Sequence, residues 1–307
     1  KEFNFGKKSP HAIKRMMVWG YNAWKKSPPK FLVLWGDANY DTRNVLKESI
    51  NKDFVPTYGW PTTDYWYSLV SGKDFVADIA VGRIPIKSNQ EGKDYIEKLN
   101  DYDSAPTDPW MKKFLFLSGG KPEEREYFYT MLQGYFSEYI LAPSLFCPIT
   151  QTIRKSDTLI GSEADASFIR SAINNGVAFM YFAGHASATV FDTDGWKVQT
   201  LNNKGKYGFF ASFSCNTAAF GEPRLTSRNE EYTIWKDKGF IGTLGSTYAS
   251  YRLSSLTLGL NILETIVDTS IKTDNFVELV NVAKIQQAKS SDYEDIINKI
   301  DYNFLGD

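Results

Sequence analysis

The chain has 307 residues, 42% of them hydrophobic and 15% aromatic, which is ample for a buried core and argues against disorder. Lys and Arg number 35 against 36 Asp and Glu, a net charge of -1, so no global field favours nucleic acid or an anionic membrane. No apolar run approaches the ~20 residues that span a bilayer, and no signal peptide is visible after Lys1, so a targeting segment is expected outside this stretch.

Residues 9–26 carry apolar residues at helical spacing, with Ser9-Pro10 suited to an N-cap and first helical position. Pro28-Pro29 breaks the pattern. "FLVLWGD" (31–37) and "VADIAVGRIPI" (76–86) read as strands of a parallel sheet buried on both faces. A helix is expected over 89–102. The Pro-rich "SAPTDPW" (104–110) is the best boundary, dividing an N-terminal α/β subdomain (1–108) from a second one (109–307). Beyond it, "KKFLFLSGG" (112–120) reads as strand then loop, and 122–140 as a helix opened by Pro122-Glu123-Glu124. A helix over 163–175 ends at Asn174-Asn175-Gly176. Strands follow at 177–183, 207–215 and 239–247, then helices near 254–268 and 275–289. Strands alternating with helical patterns predict an α/β fold with a mainly parallel sheet flanked by helices.

Two of these strands end in chemistry. The chain holds two histidines and two cysteines, too few for a disulfide framework or a metal-spaced cluster. One histidine, His185, closes the run 177–183, and one cysteine, Cys215, closes 207–215. Functional groups gather beyond the carboxyl ends of strands in open α/β sheets, and neighbouring strands lie ~4.8 Å apart. If these two strands are neighbours in register, an imidazole sits beside a thiol, the pairing that generates a nucleophilic thiolate. The N–H groups of Ala186 and Cys215 are candidate oxyanion donors. Asp192, Asp194, Trp196, Asn216 and Tyr248 are candidates for the walls of a substrate pocket. Cys147 reads as a core residue, and His11 lies in the first helix without a cysteine near it in sequence.

The motifs around the pair resemble the gingipain-type cysteine peptidases, a family related in fold to the caspases. "YFAGHAS" (181–187) and "SFSCNTAAF" (212–220) are similar to its histidine and cysteine turns. "PPKFLVLWGDANYD" (28–41), "VPTYGW" with "DIAVGRIPI" (55–86), "GFIGTLGSTYAS" (239–250) and the terminal "NFLGD" (303–307) resemble further family segments, in order along the chain. The resemblance is nearest to the sortase-like peptidases of type IX secretion. It implies a caspase-like catalytic subdomain after a smaller α/β one, with Cys215 as nucleophile and His185 as general base. The reaction would be acyl transfer through a thioester, ending in hydrolysis or transpeptidation of a protein or peptide substrate. It also implies an extracytoplasmic location, secretion-system or cell-surface partners and, in some members, structural calcium, with no cofactor required.

Departures from the pattern define an alternative. Ala186 replaces the family's glycine after the histidine, which would be strained at positive φ. The family's histidine-orienting carboxylate falls near Gly119 or Gly120, which carry none; Glu123, Glu124 and Glu126 follow and read as first-turn helix charges. A catalytically silent module with a structural or partner-binding role is the competing expectation.

Overall fold

The computed structural model describes residues 2–135, 149–154, 163–193, 195–268, 270–273, 275–287 and 292–307. Cys147 and Asp194 lie outside them. In chain order the elements are α1 (Pro10–Ala23), β1 (Phe31–Trp35), α2 (Tyr65–Ser68), β2 (Ala80–Ile84), α3 (Asn89–Asp103), β3 (Lys113–Ser118), α4 (Pro122–Tyr135), β4 (Ile149–Arg154), α5 (Glu163–Asn174), β5 (Phe179–Ala183), β6 (Phe209–Phe213), α6 (Arg228–Ile234), β7 (Gly242–Ser246), α7 (Arg252–Val267), α8 (Phe276–Gln287), α9 (Tyr293–Asp301) and β8 (Tyr302–Leu305). The start of α1 follows the expected chemistry: Ser9 accepts the His11 N–H and Pro10 opens the helix.

Eight strands form one sheet in the order β1-β2-β8-β7-β6-β5-β3-β4. Every ladder is parallel except β7–β8. Aromatic and aliphatic side chains fill both faces of its centre. Phe116, Tyr181 and Phe213 face the helices α7 and α8 within one cluster, whereas Leu117, Phe182 and Phe210 pack with Trp196 and Tyr232 in the other.

Strands from both sides of residue 108 share this sheet. They meet through β8, whose four residues sit between β2 and β7. Neither α9 nor β8, nor the short α2, β4 and α6, is among the elements expected from the sequence, although Tyr293, Ile296, Ile297 and Ile300 of α9 do recur at helical spacing. β1 differs from the two-sided burial its apolar run predicts. It is the edge strand, and Phe31, Val33 and Trp35 are 46%, 42% and 41% exposed. An apolar run alone does not tell an edge from a centre.

Beside the junction a buried charge ties the N-terminal part together. Arg83 of β2 is fully buried; its Nε and Nη2 donate to Asp64 at 2.5 and 2.9 Å. Its Nη1 donates to the carbonyls of Gly36 (2.6 Å) and Val55 (2.9 Å). The guanidinium lies over the Phe220 ring. Removing one partner of such a pair strands the other in an apolar interior. Arg83→Ala should therefore cost ~3–5 kcal/mol in urea-induced unfolding. The double variant Arg83→Met/Asp64→Leu should recover much of that loss, and an Arg83→Ala cost below about 1 kcal/mol would sink the assignment.

Candidate active site

β5 and β6 are adjacent and parallel, paired Phe179↔Phe209 through Ala183↔Phe213. His185 lies two residues past Ala183 and Cys215 two residues past Phe213, so the pair occupies equivalent places on neighbouring strands. Ser214 Oγ donates to the Gly184 carbonyl at 2.8 Å and ties the two turns together. Both side chains open into one cleft of about 420 Å³.

The histidine turn is a small hairpin. Asp192 N–H donates to the His185 carbonyl (2.9 Å) and Ser187 N–H to the Val190 carbonyl (2.8 Å). Gly184 is needed for room: a Cβ there would meet Gly119 Cα at 2.8 Å and Asp192 Oδ1 at 2.9 Å. Ala186 is absent from the residues with positive φ, so replacing glycine there carries no left-handed strain.

The carboxylate missing near Gly119 and Gly120 comes from α4. His185 Nε2 lies 2.8 Å from Glu124 Oε2. Glu124 Oε1 accepts from Arg252 Nη1 at 3.0 Å, and Oε2 also accepts the Lys121 N–H at 3.2 Å. Partial burial raises the Glu124 carboxyl, but His185, the Lys121 N–H and Arg252 together hold it below its ordinary range. Reading Glu124 as a first-turn charge was correct as to its place in the helix and missed its partner, which lies 61 residues away. Asp192 fills the space a side chain on Gly119 would need, whereas Gly120 adopts φ 96° and faces Glu124 and Phe128. Asp192 Oδ2 accepts the Gly120 N–H, and a Cβ on Gly119 would overlap Asp192 Oδ1.

The cysteine turn is held at several points. Asn216 adopts φ 60° and its N–H donates to the Tyr248 carbonyl at 2.9 Å. Asparagine tolerates this region better than most residues. Ala218 N–H donates to the Ser246 carbonyl (2.9 Å), Thr217 Oγ1 lies 2.6 Å from Ser212 Oγ, and Asn229 Nδ2 reaches Ser212 Oγ and the Leu244 carbonyl. Cys215 Sγ is met by Ser250: its N–H donates at 3.4 Å and its Oγ lies at 3.8 Å. Ser250 had no sequence signal, since it lies 35 residues from the cysteine in an ordinary loop. The Ala186 and Cys215 N–H groups take part in none of the backbone bonds that close these turns.

The other pocket candidates separate. Trp196 is fully buried, stacked on Tyr232 with centroids 5.1 Å apart, its Nε1 donating to the Thr193 carbonyl; it is a core residue, not a wall. Asp192 sits behind the cleft and Asn216 shapes the turn. Tyr248 lines a neighbouring groove. The cleft floor is Phe128, Phe213 and Leu256, with Tyr251, Arg252 and Leu253 around it and Glu294 among its lining residues. His11 packs edge-on against Trp66 and Tyr58 in the N-terminal part. Among the described residues no group of three His, Cys, Asp or Glu is placed to hold a metal. Among the same residues no helix is long and apolar enough to cross a membrane.

A cysteine beside an imidazole that is oriented by a carboxylate, with free N–H groups nearby, is the equipment of acyl transfer through a thioester. The family model described as "Peptidase family C25" matches residues 1–307. The solved structure of the Arg-specific cysteine proteinase gingipain R (RgpB) superposes with a TM-score of 0.79 at 16% identity, over 97% of this chain and 67% of that one. The complex of Porphyromonas gingivalis RgpB pro- and mature domains gives 0.77 at 16% identity, over 97% and 69%. The solved structure of a further protease gives 0.74 at 19% identity, over 99% and 70%. No curated protein sequence matches the chain.

Because Glu124 is held below the ordinary carboxylate range, it is ionised at neutral pH and accepts from Arg252 and His185. The contribution of that carboxylate to folding is lost as pH falls through its depressed value. Glu124→Gln should slow alkylation of Cys215 at neutral pH, and any peptide turnover, on the order of 10²-fold. Glu123→Gln, one residue away and exposed, should leave both unchanged; equal effects of the two would remove the orienting role.

Proposed function

The chain belongs to Peptidase family C25, and from that premise we propose that it is a cysteine peptidase acting through Cys215, His185 and Glu124. The supporting observation is the shared register of β5 and β6, which sets the histidine and cysteine side by side while Glu124 holds Nε2. With Nε2 engaged, Nδ1 is the ring nitrogen left to take the thiol proton.

The steps follow from these groups. His185 accepts the proton of Cys215, and the thiolate is steadied by the Ser250 N–H. Sγ attacks the scissile carbonyl, and the developing oxyanion is received by the N–H groups of Ala186 and Cys215. The tetrahedral intermediate collapses to a thioester as the imidazolium returns its proton to the leaving amine. Water then releases the acid, or a second amine takes the acyl group; hydrolysis is the default, and a sortase-like transfer requires an amine seated in the cleft. No cofactor enters any step. The polypeptide substrate meets the enzyme outside the cytoplasm, with secretion-system or surface components as partners, as the gingipain resemblance implies.

The silent-module reading rested on a missing carboxylate and a strained Ala186. Glu124 and the ordinary backbone at Ala186 remove both motives. Incubation with iodoacetamide near neutral pH, followed by mass spectrometry, tests the proposal. Cys215 should be alkylated at least about tenfold faster than Cys147, and His185→Ala should abolish the difference. Equal slow labelling of the two thiols, indifferent to His185→Ala, would overturn it.

A further inference from the structure

The Cys215 cleft does not end at Ser250. Ser250 and Tyr251 also line a second groove of about 480 Å³, whose other walls include Trp60, Tyr248 and the α9 residues Tyr293 and Ile297. Four of its rings are exposed: Trp60 61%, Tyr293 67%, Tyr248 42% and Tyr251 38%. Trp60 is held edge-on between Tyr40 (4.9 Å) and Tyr248 (5.5 Å), so this array is formed before any partner arrives. None of these side chains has a part in the chemistry above. A contiguous exposed aromatic surface beside a cleft marks a binding region.

We propose that this groove is an extended subsite, holding an apolar, aromatic-bearing stretch of the same polypeptide whose scissile carbonyl lies at Cys215. The inference rests on the cysteine peptidase reading. Continuity identifies the occupant. Ser250 N–H is 3.4 Å from Sγ, and an extended chain advances ~3.3–3.6 Å per residue, so a bound substrate enters the groove within a few residues of the scissile bond. The lining chemistry agrees. Rigid rings with apolar faces and polar tips suit peptide backbone and apolar side chains together. The groove's single charged lining residue, Asp301, is 3% exposed, so the surface offers nothing to a polyanion.

Two measurements test this. The first is fluorescence polarisation of a labelled dodecapeptide carrying Phe, Trp and Leu, titrated with Cys215→Ala protein, against the same peptide with those residues changed to Ser. The Phe/Trp/Leu peptide should bind at least about tenfold more tightly, and Trp60→Ala or Tyr293→Ala should erase that advantage. The second is the His185-dependent alkylation of Cys215, which both groove variants should leave unchanged. An advantage that survives both variants, or a chain dimer in size-exclusion chromatography that Trp60→Ala dissolves, would overturn the subsite. Loss of the His185 dependence in the unmodified protein would instead overturn the peptidase reading, whatever the peptide does.

Discussion

The site depends on the register between β5 and β6. With Ala183 opposite Phe213, the two chains leave the sheet at the same level, and His185 and Cys215 follow at the same offset. Side chains alternate faces along a strand, so a one-residue slip would send the imidazole and the thiol to opposite sides. The register is guarded by packing on both faces. Tyr181 and Phe213 belong to one core cluster, Phe182 and Phe210 to the other, and slipping either strand would exchange two filled interiors. Ser214 Oγ on the Gly184 carbonyl locks the pair where the ladder ends.

Around that register the charges and turns are arranged in layers. Glu124 joins three elements, since it touches His185 beyond β5 and Arg252 at the start of α7 while sitting in the first turn of α4. A negative charge there also suits the positive end of the α4 dipole. The cysteine turn relies on a buried polar network instead. Ser212, Thr217 and Asn229 bond one another and the Leu244 carbonyl, and Gly245 stays side-chain-free because a Cβ would collide with that network. The two hydroxyls and the Asn229 amide nitrogen are partnered within this network, whereas the buried Asn229 Oδ1 has no partner among the described residues.

The N-terminal part meets this centre through one short strand and through side-chain bonds that include Lys98 Nζ to the Tyr232 and Thr233 carbonyls and Asn51 Nδ2 to the Glu222 and Leu225 carbonyls. β8 joins β2 to β7, and Gly306 N–H donates to the Arg83 carbonyl at 2.7 Å. Gly82 permits the approach, since a Cβ there would press on the Gly306 carbonyl at 2.5 Å. Arg83 then gathers Asp64, Gly36 and Val55 around its guanidinium. The loop carrying Trp60 lies in that region, so the groove beside the cleft is built from residues of both halves.

Sequence alone determined the strand–helix alternation, most elements to within a few residues, and the two chemical strand ends. Those signals are local, because an apolar run that stops at Gly-His or Ser-Cys is visible without knowing its neighbours. Family motifs added the order of the segments. Tertiary structure decided what depends on distant partners. Trp196 proved to be core because Tyr232 and Phe191 enclose it, and β1 proved to be an edge because nothing pairs with its outer side among the described residues. Glu124 became the histidine's partner only once α4 was laid against β3, the neighbour of β5, and Ser250 met the thiol only through the loop after β7. A residue's type limits what chemistry it performs; which chemistry it performs is set by what the fold brings within about 3 Å of it.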